Sequence, residues 1–202
     1  MQNTLRETYG NIDIYLFDQL LKGRYDNSRK VLDVGCGRGR NVFYFLRNGY
    51  EVFGVDPDPQ AIEAVKALSS SLAPKNSLEN FAICNAENLP HDDATFDLIV
   101  CSAVLHFAKD ETHFDKMLRS MFRVLKPNGY FFARLASDIG LETLVEPLNN
   151  RRYLLPDGSE RFLVNEQMLL KYTSELGELY EPIKTTNVQN MRCMTTWCVR
   201  KN

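Results

Sequence analysis

Residues 30–40 read Lys30-Val31-Leu32-Asp33-Val34-Gly35-Cys36-Gly37-Arg38-Gly39-Arg40. A short apolar run, Val31 to Val34, leads straight into three alternating glycines, the pattern of a strand feeding a tight turn. Asn41 to Tyr50 follows with aromatics and Leu46 on one face and Gly49 placed as a helix C-cap. Strand, turn and helix are thus written in about twenty residues. The glycines remove Cβ atoms where a ligand has to touch backbone, and their dihedral freedom permits the bend. Asp33 bears on the ligand. A pyrophosphate loop does not normally open on a carboxylate, and the dinucleotide fingerprint wants its third glycine where Arg40 stands. Asp33 suits a cationic group such as an ammonium. The plainer alternative is a turn that only lets strand and helix pack.

The same scheme repeats outward. Residues 51–68 give a strand through Val55, a turn at Asp56-Pro57 and a helix with an Ala61, Ile62, Val65, Leu68 stripe, Pro59 sitting in its first turn. Asn80 to Ala86 is a third strand, and Phe96 to Ser102, nearly continuous in apolar residues, a fourth buried on both faces. Phe114, Met117, Leu118, Met121, Phe122 and Leu125 mark a helix from Thr112 closed by Lys126-Pro127-Asn128-Gly129, after which Tyr130 to Ala136 is a fifth strand. Residues 137–162 break the rhythm and read as an irregular insertion containing a turn, with a short strand at Arg161 to Val164. Asn165 caps a helix to Leu176, and two last strands meet around Asn187 to Asn190 as a hairpin. Ahead of all this, Leu5, Tyr9, Ile12, Leu16 and Leu20 predict one amphipathic helix ending near Gly23, so residues 1–25 form an N-terminal helical lid. The alternation implies an α/β, doubly wound, mostly parallel seven-stranded sheet with a C-terminal antiparallel hairpin.

The chain's 202 residues fit a single domain. Hydrophobic residues at 44% and charged residues at 25% disfavour disordered and membrane classes. Lys and Arg number 24 against 26 Asp and Glu, with no basic run, so nucleic acid is not the expected partner. No segment is apolar for long enough to span a bilayer. The N-terminus lacks the basic-then-apolar order of a secretory signal, so the expected location is cytoplasmic. Five cysteines without ligand spacing read as reduced, mostly buried thiols, and no metal site is expected.

Asp56 ends the second strand about twenty residues after Gly35, where a carboxylate can accept both hydroxyls of a ribose. The competing role is a helix N-cap ahead of Pro57 and Pro59. Taken in order, residues 31–41, 52–62, 84–107 and 118–132 resemble the motifs of class I S-adenosylmethionine-dependent methyltransferases, over about residues 30–136. Within that superfamily the chain is most similar to the small-molecule branch, methyltransferase types 11 and 25, and Gly35 to Asn41 is similar to the tellurite-resistance-type enzymes. The resemblance implies S-adenosylmethionine as cofactor and a small molecule as methyl acceptor. Gly35, Cys36, Gly37 and Gly39 would follow the methionine part and adenosine, and Asp33 would face the amino group. Asp56 would hold the ribose and Pro57 lie near the adenine. Asn85 and Ala86 stand where the family commonly has Asp-Ala, with Asn85 on the adenine edge; an amide there still offers the acceptor that the adenine amino group needs. Cys101, Ser102 and Ala103 would lie beside the reacting methyl.

His106 is the candidate catalytic residue, a base for a hydroxyl or amine acceptor, with packing against the cofactor as the alternative. Glu87, His91 and His113 read as surface residues. Tyr9 and Tyr15 are candidates for a lid over the sulfonium or for core packing. Arg151, Arg152 and Arg161 are candidates for recognising an anionic acceptor, or a solvated loop. Two other functions share parts of the pattern: a non-catalytic S-adenosylmethionine-binding sensor or partner subunit, and, more weakly, an NAD(P)-dependent oxidoreductase.

Overall fold

The computed structural model describes residues 4–202. Seven strands form one sheet in the order β3-β2-β1-β4-β5-β10-β9. These are β1 (Lys30–Val34), β2 (Glu51–Asp56), β3 (Phe81–Ile83), β4 (Phe96–Ser102), β5 (Leu125–Ser137), β9 (Gly177–Val188) and β10 (Arg192–Lys201). The first five pair in parallel, while β10 runs antiparallel to both β5 and β9. The expected doubly wound sheet with its closing hairpin is present, with Gln189 and Asn190 at positive φ in the hairpin turn.

The apolar runs of β1 and β4 are explained by burial on both faces. Leu32, Val34, Ile99 and Cys101 belong to a core with α5 (Glu111–Val124) and α6 (Glu166–Leu176). Val31, Leu98 and Val100 pack on the opposite side against Leu16 of α2 (Ile14–Leu21), Phe45 of α3 (Phe43–Arg47) and Ile62 of α4 (Pro59–Leu72). Period-two alternation therefore sends Asp33, which shares a face with Val31, into the second of these layers. The strand order reverses between β1 and β4, so their carboxyl ends flank the crevice in which such sheets bind ligands. Asp33 lies opposite Gly54 and Val34 opposite Val55, which brings the end of β2 alongside the glycine turn.

Three expectations are corrected. The single N-terminal helix is two, α1 (Leu5–Tyr9) and α2, broken at Gly10, whose φ of 63° no helix continues; residues 1–3 of the expected lid lie outside the described residues. Asp13 restarts the chain by capping α2 through the Tyr15 N–H. Lys126 to Gly129 does not end a helix in a free turn. It bulges inside β5, since Leu125 pairs with Phe96 and Tyr130 with Leu98. The insertion at 137–162 is partly ordered as a three-stranded antiparallel sheet, β6 (Glu146–Pro147), β7 (Arg152–Leu154) and β8 (Glu160–Phe162). It packs Leu155 and Leu163 on Ala136 at the end of β5 and Met194 at the start of β10.

Candidate cofactor and acceptor site

At the carboxyl ends of β1, β2 and β4 lies a hollow of about 400 Å³, walled by Gly35, Asp56, Pro57, Asn85, Ala86 and Val104. The turn that forms its floor is held by backbone: the Gly35 and Cys36 N–H groups both donate to the Val55 carbonyl, at 2.8 and 3.0 Å. Gly35 has φ +74°, and a Cβ placed on it would stand 2.2 Å from Val104 Cγ2, so no larger residue fits there. Gly37, at φ +52°, faces open space. Its N–H donates to Asp56 Oδ2 at 2.9 Å, while Asp56 Oδ1 accepts from the Asp58 N–H at 2.9 Å. The N-cap of α4 is Asp58, not Asp56. Asp56 thus ties the glycine turn to the end of β2, and an ionised carboxylate with two bonds made keeps acceptor capacity for about two more.

The predicted residues do not all reach this hollow. Gly35, Asp56, Pro57, Asn85 and Ala86 line it, and Gly37 joins it through Asp56. The Asn85 side chain makes no capping bond, which leaves its amide for a ligand. Cys36 is buried against Gly54, and Gly39 is packed under Leu68 and Val65 of α4; both shape the turn from behind. Cys101 is wholly buried in the core, and Ser102 faces Asp13 rather than this hollow. Asp33 is 1% exposed, and neither of its oxygens has a hydrogen-bond partner. Burial pushes its carboxyl up to about 8, the charge of Asp56 adding to the effect and Arg40 opposing it. A buried, unpartnered acid one layer behind a glycine turn is a place for a cationic group to be felt, and it would be costly without one. The residues present therefore fit an adenosyl group with an ammonium-bearing tail.

Sequence reasoning missed part of the wall. Val104, Phe107, Lys109, His113 and Met117 also line the hollow. Glu87 and His113 are not surface residues: both line it, and His113 Nε2 lies 3.4 Å from Glu87 Oε1. His91 is half-buried between the rings of Phe53 and Phe96, and burial lowers its pKa. The one signal for this wall was the exposed Phe107 beside β4, an apolar ring that the fold alone does not require.

A second hollow, of about 330 Å³, adjoins the first, and Ala103 is the residue common to both. Ala103 adopts φ +64°, held by its N–H donating to the Arg134 carbonyl at 2.7 Å. His106, Arg134, Arg161, Asp157 and Arg192 contribute to the walls of this space. His106 Nδ1 accepts from the Ala136 N–H at 3.3 Å, which places the imidazole proton on Nε2. Burial, with the Arg161 charge, pushes its pKa down to about 4. The side chain is thus neutral near pH 7, with Nδ1 occupied and a donor left on Nε2.

Between the N-terminal segment and the sheet sits the buried carboxylate of Asp13. Arg134 Nη1 donates to its Oδ2 at 2.9 Å, Ser102 Oγ lies at 3.4 Å and Arg40 Nη2 at 3.8 Å. The Asp13 N–H donates to Asn41 Oδ1 at 3.0 Å. Arg40, which stands where a dinucleotide fold would have glycine, serves this clamp. Tyr15 belongs to it as well: its ring lies 4.8 Å under the Arg134 guanidinium and its hydroxyl hydrogen-bonds Thr186. Tyr9 stacks on Tyr44. Both tyrosines pack within the fold. The five cysteines are free thiols. Among the described residues no cluster of ligand side chains could hold a metal ion, and no helix is long and apolar enough to cross a membrane.

A mostly parallel seven-stranded sheet with a closing antiparallel pair, a glycine turn after β1 and an acid at the end of β2 define the class I methyltransferase architecture. The chain belongs to the S-adenosylmethionine-dependent methyltransferases of this class, the methyltransferase-domain family model matching residues 32–133. It is 34% identical over 128 residues to the uncharacterized methyltransferase YcgJ of Bacillus subtilis, covering 61% of this chain and 48% of that one. The chain spans about half the length of the curated relatives it matches. Its fold is similar to that of a Methanosarcina mazei S-adenosylmethionine-dependent methyltransferase, with TM-score 0.72, 21% identity and coverage of 90% of this chain and 96% of that one. It is also similar to the Burkholderia thailandensis 1,6-didemethyltoxoflavin-N1-methyltransferase with its substrate and S-adenosylhomocysteine bound, with TM-score 0.67, 19% identity and coverage of 96% and 79%.

Proposed function

We propose that this chain transfers the methyl group of S-adenosylmethionine to a small organic acceptor bound in the second hollow. The observation that carries the reading is the contact of the two hollows at Ala103, at the strand-order reversal of the sheet. The first hollow offers bare glycine backbone, the Asp56 carboxylate and the Asn85 amide; the second offers donors from separate elements. When bound, the cofactor supplies a methyl carbon already activated by its positively charged sulfur.

The protein's contribution is then placement. Asp56 accepts the ribose hydroxyls while keeping the turn closed through Gly37, and Asn85 reads the adenine edge. Asp33 raises the local affinity for the ammonium by giving up its proton as the cation arrives. The Nε2–H of His106 and the left-handed Ala103 peptide fix the acceptor beside the junction. Holding two reactants in line in a sheltered site supplies much of the acceleration of such a displacement. At about 330 Å³ the second hollow matches the lower range of small-molecule sites.

The test is calorimetric titration with S-adenosylhomocysteine, followed by incubation with methyl-labelled S-adenosylmethionine and a panel of small acceptors. Binding with label transfer supports the proposal, binding with no transfer to any member of the panel favours a sensor, and affinity for a nicotinamide cofactor instead would overturn it.

A further inference from the structure

We propose that the second hollow selects an acceptor bearing an anionic group, held between Arg161 and Arg192 with Arg134 behind them. The inference rests on that hollow being the acceptor site. Three guanidiniums reach it from three strands: Arg134 from β5, Arg161 from β8 and Arg192 from β10. Among the described residues the one carboxylate that lines the hollow with them is Asp157, which faces Arg192 and Arg161. Asp157 Oδ1 accepts from both the N–H and the hydroxyl of Ser159, at 3.0 and 2.6 Å, while Oδ2 lies 3.8 Å from Arg192 Nη1.

The remaining cationic groups are short of partners. Arg134 gives one nitrogen to Asp13, and its buried Nε has no acceptor. Arg161 donates one Nη to the Glu160 carbonyl and lies 5.1 Å from the Phe107 ring; no carboxylate among the described residues lies within ion-pair distance of it. The guanidinium thus lies over an aromatic face with one nitrogen used on a neutral carbonyl, which leaves donors for a planar anion to accept. The neutral His106 adds a donor to the same wall and no competing acceptor, since its Nδ1 is occupied. Three guanidiniums against two carboxylates, Asp13 and Asp157, leave one positive charge in excess around this space, which a negative ligand balances and a neutral one does not. Leu155, Met194 and Val188 supply an apolar side for the body of such a molecule.

The closing experiment uses the whole chain, first titrated with S-adenosylhomocysteine and then, loaded and unloaded, with three probes: 4-hydroxybenzoate, 4-hydroxybenzamide and phenyl phosphate. Expected is an affinity about tenfold or more higher for at least one anionic probe than for the amide, reduced to parity in Arg161→Gln and in Arg192→Gln. The stronger anion tells carboxylate from phosphate. Arg192→Gln is the safeguard if Arg161→Gln folds poorly, since the Arg192 side chain is largely exposed. Equal affinity for anion and amide, binding of none of the probes, or a preference that survives both substitutions would overturn the inference. Failure to bind S-adenosylhomocysteine would instead count against the methyl-transfer reading, because anion selectivity is measured on the unloaded protein as well.

Discussion

Replacing Asp56 by alanine removes a side chain with two separable duties. Its two backbone bonds, to the N–H groups of Gly37 and Asp58, are each 2.9 Å. Its remaining lone pairs are the ones assigned to the two ribose hydroxyls. A hydrogen bond to a charged acceptor is worth about 1.5–3 kcal/mol, and the site is open on one side, so two of them amount to about 3–5 kcal/mol. That corresponds to a rise of about a hundredfold to a few thousandfold in the dissociation constant of S-adenosylhomocysteine. Asp56→Asn keeps one oxygen and loses roughly half of this. Calorimetry gives the constants, and circular dichroism with thermal melting confirms that the variants fold. The ribose contribution is isolated by repeating the titration with a 2′-deoxyadenosyl analogue, because the cycle cancels whatever the loosened turn contributes. The analogue binds more weakly than the parent to the native chain and no more weakly to Asp56→Ala. Unchanged affinity in Asp56→Ala, or an identical penalty for the analogue in both proteins, refutes the assignment.

Further outcomes follow from three groups whose environment is unusual. Asp33, protonated near neutrality with a pKa of about 8, gives up its proton when an ammonium settles near it; titrating S-adenosylhomocysteine at pH 7 in buffers of different ionisation heat shows release of up to about one proton, absent in Asp33→Asn, and buffer-independent heats would remove the acid from cofactor binding. Before ligand binds, the same group makes stability fall as pH rises from about 4 to about 8, since over that range the unfolded chain has lost a proton that the folded chain keeps. His106 has the opposite sign: with its pKa lowered to about 4, its contribution to stability is present above pH 6.5 and lost as pH falls through 4. Across pH 5.5–8 it therefore puts no inflection on kcat/KM, and an acid limb between pH 6 and 7 that vanishes in His106→Asn would restore it as the base. Asp13→Ala strands the Arg134 cation and uncaps α2, costing about 2–4 kcal/mol, read as a melting temperature lower by about 5–15 °C; a loss under 1 kcal/mol would show that the clamp is idle.

The parts of the molecule governed by short-range rules could be read in advance. An apolar run ending in alternating glycines leaves few options for residues 31–39, and Phe96 to Ser102 is too continuously apolar for anything but a strand covered on both faces. Asp56 was placed by distance along the chain from Gly35, and in the structure its carboxylate accepts from the Gly37 N–H, so the two elements do meet. Other features were illegible for physical reasons. The apolar period from Leu5 to Leu20 runs unbroken through Gly10, so the break between α1 and α2 depends on the Asp13 clamp, which forms only with Arg134 far along the chain. Strands of two or three residues, such as β6 and β7, are too short for alternation to register. Of the three arginines in the second hollow only Arg161 drew notice, because Arg134 and Arg192 look like ordinary strand residues until antiparallel pairing brings β10 beside β5. His106 was located but not its tautomer, which depends on a backbone amide thirty residues away.

The small sheet over residues 146–162 brings a division of labour between stretches of sequence. Apart from Ala103, the wall of the first hollow comes from residues 35–117, whereas most of the wall of the second, the proposed acceptor site, comes from residues 134–194. On the proposed assignment of the two hollows, exchanging the β6–β8 module and the tip of the last hairpin retunes what is methylated without disturbing how the methyl source is gripped. A chain built this way is open to new chemistry by grafting two short pieces, and Ala103, His106 and Arg134 are the retained residues to which any such graft has to be matched.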